Sequence, residues 1–303
     1  MKKGYLYIIL TGIAFSTIEI AVKMTQGINP FQLNFLRFLI GSLILLPFAI
    51  YDIKKRKLHF NVNDFLFFML TGFIGVFMSM GLFQMAVANA KASTVAVIFS
   101  TNPIFTIPFA YVILKENMNK KMVLSFLISL IGIGFFLDPS SLNGHLKGII
   151  LSVLASIAFS LYSVVSKKRM ERYGGLVLNC FTFLIGDAIV LAYLLFAKIP
   201  ITKNITTPNI LCILYLGVVA TGLAYVLYFM AMKETSAITT SIVFFIKPAL
   251  APVLAFMILG ETVTLNTAFG IIFILIGSYM MFRARKTTLV SKTTVMDVST
   301  NES

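Results

Sequence analysis

The sequence predicts an all-helical integral membrane protein of ten transmembrane helices, arranged as two inverted five-helix repeats. Three observations carry that prediction. Hydrophobic residues make up 58% of the 303 and charged residues only 12%, with a mean hydropathy of +0.94. Ten apolar runs of roughly spanning length follow one another with short polar connections. The second half of the chain also matches the first at a nearly constant offset of 145 residues.

A soluble domain carries about 25% charged residues and cannot leave this much apolar surface facing water. Lipid is the solvent that accepts it. The net charge of +14 does not indicate nucleic acid, because the basic residues sit in short loops between apolar runs rather than on one soluble face. Cys180 and Cys212 both fall inside apolar runs, and His59 and His145 stand in loops with no Cys or carboxylate cluster beside them. Neither a disulfide framework nor a metal site can be built from them, and no cofactor is implied. The start, Met1-Lys2-Lys3 before an apolar run, resembles a signal peptide. Glu19 interrupts that run and no small-residue cleavage site follows, so it reads as the first spanning helix.

A spanning helix needs about 20 mostly apolar residues. The runs that qualify are approximately 4–24, 30–51, 64–88, 92–114, 121–137, 146–166, 176–196, 208–231, 237–259 and 265–283, of which 121–137 is short. Residues 285–303 are rich in Ser, Thr and Lys and predict a disordered cytoplasmic tail. Orientation follows from Lys and Arg in the loops. With the N-terminus inside, eighteen of them are cytoplasmic, including Lys54–Lys57 and Lys167–Arg172, against five outside: Lys23, Lys91, Lys147, Lys198 and Lys203. The bias places both termini in the cytoplasm, as an even number of helices requires, and the cell membrane is the expected location.

The repeat gives the strongest organisational signal. At an offset of 145, Leu33-Asn34 falls on Leu178-Asn179 and Phe38–Gly41 on Phe183–Gly186. The same offset places Gly72 on Gly217, Met85-Ala86 on Met230-Ala231, Pro103 on Pro248, Glu116 on Glu261 and Ile131-Gly132 on Ile276-Gly277. At 144, Ile13–Ser16 falls on Ile157–Ser160. All five helix pairs are represented, giving units of 4–137 and 146–283. Five is odd, so the second unit crosses the bilayer upside down. Inverted repeats put a binding site near the midplane between them, exposed alternately as the halves rock. The expectation is therefore a transporter working by alternating access.

At Arg37–Gly41 in helix 2, Pro103–Glu116 ending helix 4, and Lys247–Pro252 with Leu259-Gly260-Glu261 in helix 9, the chain resembles the EamA type of the drug/metabolite transporter superfamily. The resemblance covers residues 4–283. It implies two tandem five-helix domains, a small-metabolite cargo, and a central cavity lined mainly by helices 1, 3, 4, 6, 8 and 9.

Ionisable residues inside spanning helices are costly, and each is a functional candidate with a partner to be named. Glu19 and Arg37 lie about 12 and 15 Å from the loop near Gly27 at helical rise. Asp187 and Lys247 lie at matching depths near the midplane. Depth alone allows two ion pairs, Glu19–Arg37 and Asp187–Lys247. Arg37 and Asp187, on helices 2 and 7 that the resemblance puts toward the periphery, are expected to serve in ion pairs or coupling. Glu19 and Lys247 are expected to bind substrate; for Glu19 the rivals are a proton role and a local i, i+4 pair with Lys23. None of the four has an ionisable twin in the other repeat. Gln84, Asn102, Tyr162, Tyr225 and Tyr228 are further polar groups on expected cavity helices, each equally suited to an interhelical hydrogen bond. Glu116 and Glu261 are expected to anchor helix ends or pair with loop lysines. Most of the 29 phenylalanines are expected to face lipid or neighbouring helices, and they need no cofactor to explain them.

The function expected is export of a small polar or amphipathic metabolite, an amino acid or derivative first. Lys247 would meet its carboxylate and Glu19 its amine, with a proton as candidate coupling ion and a monomer or homodimer as the unit. Uptake of a nucleobase-like or other metabolite is the alternative. An enzyme is the remote one, because no HExxH or GxSxG is present and neither histidine lies in a helix. A channel lacks a filter motif, and no Walker A sequence supports ATP coupling.

Overall fold

In the computed structural model the backbone is described for residues 2–25, 27–116, 118–136, 142–235, 240 and 243–301, and side chains for these residues except 2, 142–145 and 285–301. The described residues form helices and short connections, without a strand. They group into ten segments: α1 Lys3–Met24, α2 Pro30–Arg56, α3 Val62–Asn89, α4 Ala92–Leu114, α5 Lys120–Gly134, α6 Leu142–Tyr173, α7 Gly175–Phe196, α8 Thr207–Glu234, α9 Val243–Leu259 and α10 Leu265–Asn301. Eight of them contain a stretch long and apolar enough to cross a bilayer. The exceptions are α5, with 15 residues, and α9, with 17. At helical rise α5 extends about 22 Å, less than the roughly 30 Å hydrocarbon core, whereas the 17 residues of α9 are those described after position 242. The expected start of helix 9 and the last residue of helix 5 fall outside the described residues.

Helix ends differ from the hydropathy boundaries for a physical reason. α2 continues past residue 51 to Arg56, and α6 past residue 166 to Tyr173, because each emerges from the apolar layer without a breaker. Lys54, Lys55 and Arg56 in the last turn of α2 also oppose the negative end of its dipole. The backbone of α10 likewise remains helical to Asn301, through the Ser/Thr/Lys-rich segment expected to be disordered. That segment contains neither Gly nor Pro, so nothing in it stops a helix already nucleated by the apolar residues before it.

Starts are set by side-chain caps. Asn29 and Gln32 form a capping box ahead of α2, with Pro30 in its first turn, and Asn61 and Asp64 form one ahead of α3. Four segments are interrupted midway. α1 breaks at Thr17 and α4 at Ser100-Thr101, just before Pro103. α3 and α8 each widen into a π-helical stretch, Phe73–Met80 and Tyr215–Leu223. Such wide turns leave backbone groups that side chains can reach, and Asn34 of α2 donates to the Val76 carbonyl at 2.9 Å.

The helices pack in a pattern that survives exchanging the halves. α1 packs on α8 and α9 as α6 packs on α3 and α4. α2 packs on α8 as α7 packs on α3, while α2–α7, α4–α9 and α5–α10 are each a helix with its counterpart. Very close approach occurs where α3 meets α7: a Cβ on Gly72 would stand 2.7 Å from the backbone nitrogen of Gly186. Small residues permit such contact in lipid, where apolar burial does not drive helices together. Large apolar side chains such as Val112, Phe196 and Met257 point outward, and the buried interior holds the polar groups.

Candidate functional site

The centre of the bundle holds a small cavity of about 40 Å³, measured as room for the centre of a water-sized sphere. Its wall includes Phe15 and Ile18 of α1, Arg37 of α2, Met80 and Phe83 of α3, and Phe99, Ser100 and Asn102 of α4. Phe159 of α6, Tyr225 of α8, and Val243, Phe244 and Lys247 of α9 complete it. Both halves therefore contribute. The helix breaks at Thr17 and Ser100-Thr101 lie on or beside the wall, as does the Lys247-Pro248 step.

Lys247 and Glu19 are brought together. The lysine Nζ stands 2.6 Å from Glu19 Oε1, with both side chains buried. The contact is an ion pair by distance, while its angles fall outside those of a well-formed hydrogen bond and Oε2 has no partner. The ammonium also lies 5.6 Å from the ring centre of Phe83 and 5.2 Å from that of Phe99. These rings meet edge to face at 4.9 Å, so the cation is held by one carboxylate and two aromatic rings. Matching depth suggested different partners, and the structure corrects both pairs. Depth reports height in the membrane but not rotation about a helix axis, and the packing of α1 against α9 turns Glu19 toward Lys247. The local rival is also unformed, because Lys23 donates to the Val87 and Ala90 carbonyls at 3.0 and 2.9 Å, at the end of α3.

Arg37 is not peripheral. It is 2% exposed, and its Nε donates to Thr221 Oγ1 in the π stretch of α8 at 2.8 Å. Its guanidinium lies 5.0 Å from the ring centre of Phe38, and Nη1 is buried without a partner. Close packing of α2 on α8 lets the long side chain reach the cavity from a helix outside the expected set. Asp187, equally buried, makes no ion pair among the described residues, and its Oδ1 has no partner.

The remaining expected residues divide. Asn102 and Tyr225 line the cavity. Asn102 Nδ2 donates to the Phe99 carbonyl at 3.0 Å, which steadies the break in α4, and its own carbonyl accepts from Ser160 Oγ at 2.6 Å. Tyr225 packs edge to face on Phe183 and against Phe15. Tyr162 donates to Asn179 Oδ1 at 2.7 Å, an interhelical bond away from the wall. Tyr228 packs among Phe15, Phe229 and Phe244, and Gln84 is buried with neither amide atom partnered. The aromatic wall itself went unread in the sequence: Phe15, Phe83, Phe99, Phe159 and Phe244 face inward. Among 29 phenylalanines no spacing separates these five from the lipid-facing ones.

Polar contacts between the halves bridge both ends of the bundle. At one end Glu261 accepts from the backbone of Ala92 at 2.7 Å and Ser93 at 3.0 Å, and from Ser93 Oγ at 2.6 Å, capping the start of α4. Lys91 donates to the Thr262 carbonyl, and Gln32 Nε2 to the carbonyls of Ile201 and Lys203, each of these two at 2.8 Å. At the other end Glu116 pairs with Lys167, and Asp64 pairs with Arg169 at 2.6 Å and Arg172 at 3.0 Å. Glu116 thus meets a lysine within α6 rather than in a loop, whereas Glu261 binds a helix terminus. Asp64 was not singled out. Its signal was present as the Asn61-x-x-Asp64 capping box and two arginines three residues apart, but nothing in the sequence linked them.

A profile of the EamA-like transporter family matches residues 2–137 and 146–283. A chain from Clostridium kluyveri described as an uncharacterized transporter is 46% identical over 295 residues, spanning 94% of this chain and 95% of that one. Uncharacterized transporters from Archaeoglobus fulgidus and Bacillus subtilis (YyaM) are 25% and 24% identical, covering 93% and 91% of this chain and 97% and 93% of theirs. One solved crystal structure superposes with a TM-score of 0.66 at 18% identity, covering 95% of this chain and 99% of the other. That likeness concerns the fold.

Proposed function

The chain belongs to the EamA-like transporter family, and from that premise we propose a secondary transporter that moves a small amphipathic metabolite by alternating access. The carrying observation is the buried pair of Glu19 and Lys247, one from each half, beside a small cavity to which both halves contribute. An ion pair inside a bilayer is stable only while its charges satisfy each other or a ligand. A metabolite entering between α1 and α9 comes beside that pair, and its apolar portion meets phenylalanine. The present cavity has room for about two or three waters, so a metabolite requires the halves to separate.

In this proposal all ten segments cross the cell membrane, with α5 as the short span and both termini in the cytoplasm. The Lys and Arg distribution supports that orientation. The packing pattern that survives exchange of the halves supports the inverted five-helix repeats, 4–137 and 146–283. The contacts at the two ends then act as alternate closures, the Glu261 cap on the outer face and the Asp64–Arg169/Arg172 cluster on the inner. Export of an amino acid or derivative is the favoured direction and cargo, with a proton as candidate coupling ion. The test is a metabolite panel on cells lacking and overexpressing the protein. The cargo is expected to accumulate inside deletion cells and to fall below wild-type level on overexpression. The opposite pattern would make the protein an importer, and an unchanged panel would count against transport.

A further inference from the structure

The charges at the cavity do not balance. Two cations line it, Arg37 and Lys247, and the one carboxylate paired with either of them is Glu19, which is committed to Lys247. Among the described residues no ion pair is recorded for Arg37. Its guanidinium is also fixed in place: Nε is held by Thr221, one face lies toward the Phe38 ring, and the buried Nη1 has no partner. A rigid planar donor edge with unspent hydrogen-bonding capacity matches a carboxylate, which accepts from two guanidinium nitrogens at once. The rest of the wall is aromatic or aliphatic except for Ser100, Asn102 and Tyr225. We propose that Arg37 is the substrate-anion anchor, and that the cavity takes an organic monoanion, a carboxylate carried on an aromatic or apolar body.

This rests on the transporter reading and reassigns the charges within it. The expected division, Lys247 for a carboxylate and Glu19 for an amine, requires a zwitterion to part a 2.6 Å ion pair and to leave Arg37 unmatched. A monoanion leaves the Glu19–Lys247 pair intact and neutralises the residual positive charge. Uncompensated charge is the larger penalty in a buried, mostly apolar site, so the anion is favoured over the zwitterion and the zwitterion over a cation.

Three probes of one shape test the order: 3-phenylpropanoate, L-phenylalanine and 2-phenylethylamine. Their binding to the full-length protein in detergent is measured by calorimetry, and their flux is measured in proteoliposomes. The propanoate is expected to bind at least tenfold more tightly than the amine, with phenylalanine between or absent. Arg37→Gln is expected to weaken propanoate binding at least tenfold. Arg37→Lys, which keeps the charge and loses the fork, should weaken it less. The charge-balanced double variant Glu19→Gln/Lys247→Gln should keep the preference for the anion. Equal or tighter binding of the amine, no binding of any probe, or undiminished binding in folded Arg37→Gln overturns the assignment. Should Arg37→Gln fail to fold, the ranking on the wild-type protein decides. Binding of the anion without flux would remove the transporter reading and leave the anchor standing. Flux of the amine alone would do the reverse.

Discussion

Lys247 Nζ and Glu19 Oε1 stand 2.6 Å apart, and the two residues come from opposite halves of the chain. Removing one member of a buried pair leaves an uncompensated charge, at a cost of about 3–5 kcal/mol. Glu19→Gln and Lys247→Met are each expected to lower the unfolding midpoint in detergent sharply, and the double variant to recover most of the loss. A double-mutant cycle measures the coupling. Additive losses would mean that the two charges do not act on each other.

Glu261 accepts from the first amides of α4 and ties the α9–α10 turn to the other half. Loss of a capping group costs about 1–2 kcal/mol, which corresponds to roughly 5–30-fold in an opening equilibrium. Glu261→Gln is therefore expected to raise hydrogen exchange at the amides of residues 92–93 by that factor. Exchange unchanged there would show that the cap does not restrain this end.

Asp64 and Glu116 contrast two kinds of ion pair at the opposite end. Asp64 is buried and receives two arginines, whereas Glu116 and its partner Lys167 are 38% and 62% exposed. Asp64→Asn is expected to cost about 1–3 kcal/mol through lost charge-assisted bonds. Glu116→Gln should cost less than about 1 kcal/mol. Unfolding midpoints of the two variants should rank in that order, and the reverse order would contradict the assignment.

Backbone contact between α3 and α7 leaves no room at Gly72, where an added Cβ meets the nitrogen of Gly186. Gly72→Ala is expected to destabilise by about 1–3 kcal/mol, as overpacking does. At Gly134 an added Cβ meets nothing within 4 Å. Gly134→Ala should be neutral or stabilising by up to about 1 kcal/mol through helix propensity. Thermal unfolding of both in detergent compares close approach with propensity directly.

A fluorescent protein fused after the last residue should fluoresce, and a periplasmic-type phosphatase reporter fused there should be inactive, if the C-terminus is cytoplasmic as the lysine and arginine bias predicts. The opposite pair of results would invert the topology, and with it the faces assigned to the Glu261 and Asp64 contacts.

The helical elements were legible because hydropathy and helix length are local properties. Runs such as 30–51 and 64–88 exceed what a soluble helix would tolerate, and caps such as Asn29 and Asn61 mark their starts. The exchange of α1–α8 for α6–α3 was foreshadowed by the matching of Gly72 with Gly217 and Pro103 with Pro248. Less of the site was legible. Glu19, Arg37, Asn102, Tyr225 and Lys247 stood out because polar groups are rare in these helices, yet matching depth points to the wrong partners for Glu19 and Lys247. Asp187 and Arg37 are not joined to the expected partners, and the inward phenylalanines carry no signal that separates them from the others.

Composition, periodic apolar runs and internal repetition are enough for membrane residence, helix order and duplication. Each depends on solvent and chain length rather than on which helices touch. Rotation of each helix about its axis, and the side on which a long side chain emerges, depend on packing between segments far apart in the chain. That packing sets Lys247 against Glu19 rather than Asp187, and it carries Arg37 through the π stretch of α8 to the cavity wall. Two repeated halves and four charges within apolar helices were present in the residue order. Which of those charges remains unpaired is a matter of a few ångströms between helices that are neighbours only once folded.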